Sequence, residues 1–211
     1  MKGKTLEMVQ MALFIALIIL MASVPFLGYI PLGFTRATII HIPVIVGSIV
    51  MGPKKGAILG GVFGLTSFIN NTFNPTITSF VFTPFYTMGE IKGGWQSIVI
   101  CFLPRILVGV APYFVYHIFL KLFKKKKMAL ALGISGVVGS LTNTILVMNF
   151  IYVFFGDVYA EVNQAATKTV YGFILLLIGK NGIPEAIIAA VVVAFLAQVL
   201  LKTKMFKEVK R

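Results

Sequence analysis

An all-α membrane protein, a bundle of six transmembrane helices with N- and C-termini cytoplasmic, is the fold class this sequence predicts. Three observations lead there. Hydrophobic residues make up 58% of the 211 and charged residues only 12%, too little polar surface to coat a globule in water. Apolar runs recur at Met8–Leu27, Ala37–Met51, Gly56–Ile69, Ser97–Leu120, Met128–Phe155 and Ile183–Leu201, divided by Gly, Pro, Asn or Lys clusters. The basic residues punctuate these runs, so the net charge of +13 marks topology rather than a nucleic-acid patch. The length fits a single domain, residues 1–211.

Met8–Leu27 is about long enough to span a bilayer, and Pro25-Phe26-Leu27 is a poor cleavage site, so this run is expected to stay as the first helix. The second and third runs are short for a straight span of about 20 residues and leave part of the membrane depth to flanking or irregular backbone. Thr169–Ile178 is shorter still and sits between Lys168 and Lys180, which places it in an external loop or re-entrant segment. Lys2, Lys4, Lys54, Lys55, Lys121, Lys124 to Lys127, Lys202, Lys204, Lys207, Lys210 and Arg211 fall on one side of these spans. Only Arg36, Lys92, Lys168 and Lys180 fall on the other, and the positive-inside rule assigns the larger set to the cytoplasm. The outer loops, Asn70–Gln96 and Gly156–Gly182, are the longer ones and carry Glu90, Asp157 and Glu161.

At about 1.5 Å per residue, the intramembrane polar residues gather in the outer half. Arg36 and His41 fall near the outer end of the second helix, and Asn70, Asn71 and Thr72 at that of the third. Arg105 lies a third of the way into the fourth, Asn143 near the middle of the fifth with Asn149 above it, and Asn181 and Glu185 open the sixth. An ionised side chain at that depth faces a cavity, a ligand or another charge. Arg105 therefore either pairs with Glu185 or holds a ligand. Asn143 either hydrogen-bonds across helices or reads a ligand. Asn181, in Asn181-Gly182-Ile183-Pro184, reads as a helix cap, which leaves room for a ligand nearby. His41 reads first as a packing residue, and the shortage of acidic and His partners argues against metal. Phe26, Tyr29, Phe34, Phe80, Phe82, Phe85 and Tyr86 form an interfacial belt or the cover of a small organic ligand.

Ala12 and Ala16 lie one turn apart on the first helix, and Gly52, Gly56, Gly60 and Gly64 repeat every four residues. Each set stacks on one helix face and admits a neighbouring backbone; contacts inside the same bundle are the expectation for the glycines. Cys101 is the only cysteine, so neither an internal disulfide nor a Cys-based metal site is expected. No Gly-x-x-x-x-Gly-Lys-Ser/Thr motif and no internal repeat appears. No catalytic constellation is apparent either, so the chain reads as a non-enzyme that draws energy from a partner or a gradient. A stand-alone secondary transporter, a membrane-embedded enzyme and a purely structural subunit are the competing readings.

The stretches from Pro25 to Gly33, Ala37 to Val44, Leu103 to Leu107, Gly139 to Thr144 and Asn181 to Ala186, together with the Ala12/Ala16 pair, resemble a known family. They are similar to the substrate-binding (S) components of energy-coupling factor transporters, prokaryotic importers of vitamins, and within them to the pantothenate-type branch. The resemblance implies a multi-pass protein of the prokaryotic cell membrane that captures a vitamin from outside. It would then topple in the bilayer and release its cargo through a transmembrane coupling subunit driven by two cytoplasmic ATPases. Catalytic residues, cofactor and metal are all expected to be absent. It implies that Ala12 and Ala16 dock on the coupling subunit and that Arg105 holds a carboxylate. Asn143, Asn149 and Asn181 would read hydroxyl or amide groups, and Tyr29, Phe34, His41, Phe80 and Glu185 would complete the site. Glu185 keeps a cationic vitamin open, and a riboflavin-type branch would favour broader aromatic stacking.

Overall fold

Lipid offers no hydrogen-bond partner to a peptide group, so an apolar chain at membrane depth satisfies its backbone within helices. The structure is a computed structural model and describes residues 2–24, 27–32, 35–89, 91–123, 127–162 and 170–203. Phe26, Phe34, Glu90, Lys124 to Lys126, Lys168 and the tail from Lys204 lie outside the described residues, as do the side chains of Tyr29, Arg36 and Glu161.

Helix α1 (Lys2–Ser23) leads into a short antiparallel hairpin, β1 (Tyr29–Leu32) against β2 (Thr35–Thr38), with Tyr29 opposite Thr38. Helices α2 (His41–Met51) and α3 (Pro53–Phe73) follow. A loop with one 3-10 turn, Ser79–Val81, and a two-residue pairing, β3 (Thr87–Met88) with β4 (Ile91–Lys92), reaches α4 (Trp95–Val108). Then come α5 (Ala111–Leu122), α6 (Met128–Val162), α7 (Val170–Leu177), a π-helical turn (Ile178–Gly182) and α8 (Ile183–Lys202). Among the described residues, four stretches are long and apolar enough to cross a membrane: Gly3–Ser23, Trp95–Leu122, Met128–Tyr159 and Ile174–Lys202.

Helices α2 and α3 form a tight antiparallel pair. Gly52 between them has φ +95°, a left-handed conformation that glycine adopts without strain, and Pro53 then opens α3 with its φ already helical. The reversal brings Leu59 against Gly47 and Ser48 against Gly56. Every residue of α2 is buried. Its 11 residues rise only about 16 Å, half the depth of a bilayer core, and neighbouring helices shield its ends. Helix α1 attaches through the stripe Gln10, Phe14 and Ile18. Lys55 Nζ meets Glu7 Oε2 at 2.6 Å, which puts the start of α1 beside the start of α3.

Four expectations need correction. Thr169–Ile178 is not a loop over its described part. Helix α7 runs through the π turn into α8, because the wider turn carries the helix past Lys180-Asn181-Gly182, a cluster that reads as a stop. Asn181 accordingly sits inside that turn and does not cap α8; the cap position is Gly182, with no side-chain cap bond. The fifth apolar run also continues beyond Phe155 to Val162, kinked at Phe155 itself (φ −140°, ψ 20°). Outside the helices, the two small β pairings depart from a purely α chain.

Three of the four glycines, Gly56, Gly60 and Gly64, pack inside the bundle as the spacing predicts, whereas Gly52 lies in the reversal before α3 with open space beside it. A side-chain carbon on Gly56 would strike the Gly109 carbonyl, one on Gly60 the Arg105 carbonyl, and one on Gly64 would crowd Phe102 and Cys101. Four-residue steps on α3 thus meet four-residue steps on α4, backbone against backbone. Cys101 Sγ donates to the Gly64 carbonyl at 3.3 Å across the same seam. Gly61, the next residue along, faces open space. Gly60→Ala should therefore lower the melting temperature of the purified protein, at a cost of about 1–3 kcal/mol, while Gly61→Ala leaves it unchanged or raises it. Equal melting of the two variants in a thermal-shift assay would refute the seam.

Candidate functional site

Arg105 is buried in α4, next to Pro104, which is buried inside the same helix. Side chains on a helix lean toward its N-terminus, and Arg105 does so: Nη1 donates to the Ile100 carbonyl at 2.7 Å. The guanidinium carbon lies 5.6 Å from the Phe63 ring centre and 5.2 Å from that of Phe82, both within cation–π range. A carbonyl and two aromatic faces are among the groups that hold this charge.

Glu185, in the first turn of α8, is also buried. Its Oε1 accepts the Thr38 backbone N–H at 2.8 Å and its Oε2 the Thr144 hydroxyl at 3.1 Å, so one carboxylate ties the β1–β2 hairpin, α6 and α8 together. One step further along, Ile45 of α2 packs on Gly139 of α6. Passing from Thr38 to Ile45 on one chain segment thus matches passing from Thr144 to Gly139 on the other. His41 is fully buried, with Thr38 backbone as its polar neighbour and no hydrogen bond of standard geometry at either ring nitrogen. Ser140 Oγ and Asn143 Oδ1 are likewise buried without a hydrogen-bond partner among the described residues.

Arg105, Glu185, His41 and Asn143 are all buried, and Asn181, buried in the π turn, stands beside Gly182, which lies against Thr144, the Glu185 partner. Asn149 stands apart from these. Six residues past Asn143 it points about 120° away around α6, and its amide donates to its own helix at Ile145, 2.7 Å. Phe80 is fully buried in a second apolar cluster, edge-on to Phe155, and Phe82 is the loop aromatic that reaches Arg105. The described part of Tyr29, its backbone, pairs with Thr38 at the end of the hairpin. Asn71 and Thr72 fold the loop after α3 back on itself, through Ser79 to Asn71 Oδ1 and Thr72 to Thr83, both 2.8 Å. Ala12 and Ala16 lie on the uncovered face of α1 with Met8, Leu13 and Leu20.

Sequence reasoning missed Thr38, Thr144, Ser140 and Phe63. Thr144 and Ser140 stand at the same depth as Asn143 and were findable on that ground; the Thr38 contact is made by a backbone amide, which no residue type announces. Taken together, the region offers one fixed cation against aromatic rings, one committed carboxylate, and buried hydroxyl and amide groups. Such a set has the chemistry to suit a small polar molecule with an anionic end. Glu185→Ala leaves the Thr38 N–H without its acceptor, a loss of roughly 1–3 kcal/mol or about 5- to 150-fold in local opening. Hydrogen exchange at Thr38 should accelerate accordingly, and an unchanged rate would remove Glu185 as the hairpin's anchor.

Residues 6–197 match the family described as "ECF transporter, substrate-specific component". The chain is 34% identical over 206 residues to the pantothenic acid transporter PanT of Lactococcus lactis, covering 96% of this chain and 97% of that one. It is 29% identical over 203 residues to the pantothenate transporter PanT of Leuconostoc mesenteroides, covering 94% and 93%. A mostly helical, apolar chain with a buried polar region, matched to one family over nearly its whole length, belongs to the substrate-specific components of ECF transporters: it is a multi-pass prokaryotic membrane protein serving transport rather than catalysis.

Proposed function

We propose that this chain is the pantothenate-capturing subunit of an ECF-type importer, a single domain of six membrane passes with both termini in the cytoplasm. The observation that carries the reading is the buried Arg105 guanidinium held between Phe63 and Phe82, in a chain whose near-full-length relatives are named for pantothenate transport. Pantothenate has one carboxylate, two hydroxyls, an amide and a dimethyl group. Arg105 takes the carboxylate, a charge-assisted contact at low dielectric. Asn143 Oδ1 accepts from a hydroxyl or the amide N–H, and Ser140, Asn181 and His41 complete the polar contacts. Glu185 holds the hairpin to α6 through one hydrogen bond at each oxygen, and its remaining acceptor sites face the ligand's hydroxyls. Asn149 is left out of the set.

The alternation of α1, the α2–α3 reversal, α4 with α5, α6, and α7 with α8 supports six passes, with short α2 sheltered by the rest. The uncovered face of α1 around Ala12 and Ala16 supports docking on a transmembrane coupling subunit bound to two ATPases, which supply the energy this chain does not generate. Small molecules released from the purified protein should include pantothenate by mass spectrometry, and titration should favour pantothenate over riboflavin and thiamin. Binding of another vitamin instead would keep the family and replace the substrate. Arg105→Ala should raise the pantothenate Kd by over about a hundredfold, a loss of roughly 3 kcal/mol or more, in a protein that still folds. Unchanged affinity by calorimetry would exclude Arg105 from the site. Ala16→Phe should stop co-purification with the coupling subunit while leaving the pantothenate Kd within roughly threefold. Intact co-purification would move the docking surface elsewhere.

A further inference from the structure

Packing contacts show which helix ends of the bundle lie together. Lys55 against Glu7 sets the start of α1 beside that of α3. From Gly64 to Gly56 along α3 the partners on α4 run from Cys101 to Gly109, so the start of α3 points the same way as α5, which follows. Thr144 of α6 meets Glu185 of α8, Gly136 lies against Ala189, and Gly133 lies near Ala194. The same antiparallel register carries the start of α6 to the end of α8. A short connection from Phe123 to Lys127 joins α5 to α6. One end of the bundle thus gathers the starts of α1, α3 and α6 and the ends of α5 and α8.

Lys4, Lys54, Lys121, Lys127 and Lys202 stand at this end, all exposed, and none makes an ion pair among the described residues. Glu7, the acid described at this end, is already taken by Lys55 at 2.6 Å. The opposite end is mixed in sign, with Asp157 beside Lys92 and Lys180 in the charge balance. Each of the five lysines has an exposed apolar residue one turn toward the middle of its own or the adjoining helix: Met8, Ile58, Ile118, Leu130 and Val199. Spacings of three or four residues put the two members of a pair on one helix face, so each ammonium group continues an apolar stripe. A lysine stem covers apolar surface while its charged head reaches water. At the border of an apolar stripe in a membrane protein, that head reaches the layer where lipid phosphates stand.

We propose that this end of the bundle is a binding surface for anionic phospholipid headgroups, with the five lysines holding the phosphates and the apolar residue beside each holding the acyl chain. The pairing commits the partner. A nucleic acid or an acidic loop has nothing to offer Met8 or Ile118, whereas one lipid supplies both halves of each contact. A single lysine at such a surface attracts only modestly, so the selectivity comes from five acting together. Nothing in it depends on which vitamin the chain captures.

Electron spin resonance of the reconstituted full chain reads the preference. Phosphatidylglycerol and phosphatidylcholine, spin-labelled at the same acyl position, are compared in phosphatidylcholine vesicles, and the ratio of their motionally restricted fractions gives the relative association. The unaltered protein should favour phosphatidylglycerol by about threefold or more; a ratio near one would overturn the proposal. Changing all five lysines to Gln should lower the ratio by roughly half or more, while changing them to Arg, which keeps the charge, should preserve it. An unchanged ratio in the Gln variant would refute the surface, as it would if that variant lost an acidic protein partner instead. Equal loss in the Arg variant would refute it too, because charge would then not be the cause. Both leaflets carry the probe, so the ratio is independent of the direction of insertion. If the Gln variant does not fold, the unaltered protein decides. Raising the salt from about 0.05 M to about 0.5 M shortens the screening length roughly threefold and should bring the ratio toward one, and a ratio insensitive to salt would overturn the proposal.

Discussion

The close approach of α3 to α4 is the contact on which the binding region depends. Gly56, Gly60 and Gly64 remove every side chain from one stripe of α3 and let the backbone of α4 lie against it at Gly109, Arg105 and Cys101. Lipid supplies no hydrophobic force to press two helices together, so fit of this kind and polar contacts across the seam are what hold them. The seam sets more than stability. It fixes the backbone from which Arg105 departs, and it places Phe63, just under one turn after Gly60, within reach of the guanidinium. A buried charge is tolerated only where its surroundings are fixed in advance, and here the fixing begins with three missing side chains.

A second fixed point lies on the opposite wall. Glu185 gathers a hairpin amide and a hydroxyl of α6 at one carboxylate, so the segment between α1 and α2 is tied to the far end of the chain. Helix α6 meets α8 through small residues too, Gly136 against the Ala189 carbonyl, which repeats the backbone-contact principle of the first wall. Between the walls stands α2, buried on all sides. It behaves as the core of the bundle and not as a lipid-facing span, and this accounts for a length that falls short of the membrane.

Much of this was readable from residue types alone. Long apolar runs gave α1, α4 with α5, α6 and α8, because twenty-odd residues without charge have few other solutions. Depth along those runs gathered Arg105, Asn143, His41 and Glu185 before any packing was known, and four-residue glycine spacing announced the α3 seam. What escaped was information that residue type does not carry. The Thr38 contact belongs to the backbone. The hairpin from Tyr29 to Thr38 lacks the alternation that signals strands, since its position is held by Glu185 from a distance of 147 residues in sequence. Lys180-Asn181-Gly182 carries the usual marks of a helix end, and only tertiary packing of Asn181 and Gly182 into the core keeps the helix going. Phe80 and Phe82 are equivalent by composition, and which of them meets Arg105 is decided by the 3-10 turn between α3 and β3.

The π turn from Ile178 to Gly182 has a consequence for how this chain tolerates change in length. Such a turn is an α-helix with one residue added, and it lets the segments on either side keep separate rotational phases about a common axis. Helix α8 needs Glu185, Ala189, Val193 and Ala197 on its inward side, while α7 needs Ile174 and Leu177 there. Removing one residue from this turn would restore a regular helix and rotate one segment by about 100° against the other, turning either the carboxylate or the apolar cap outward. The extra residue works as a phase adjuster between two packing surfaces, so the segment's residue count, more than the identity of its side chains, is what the bundle constrains.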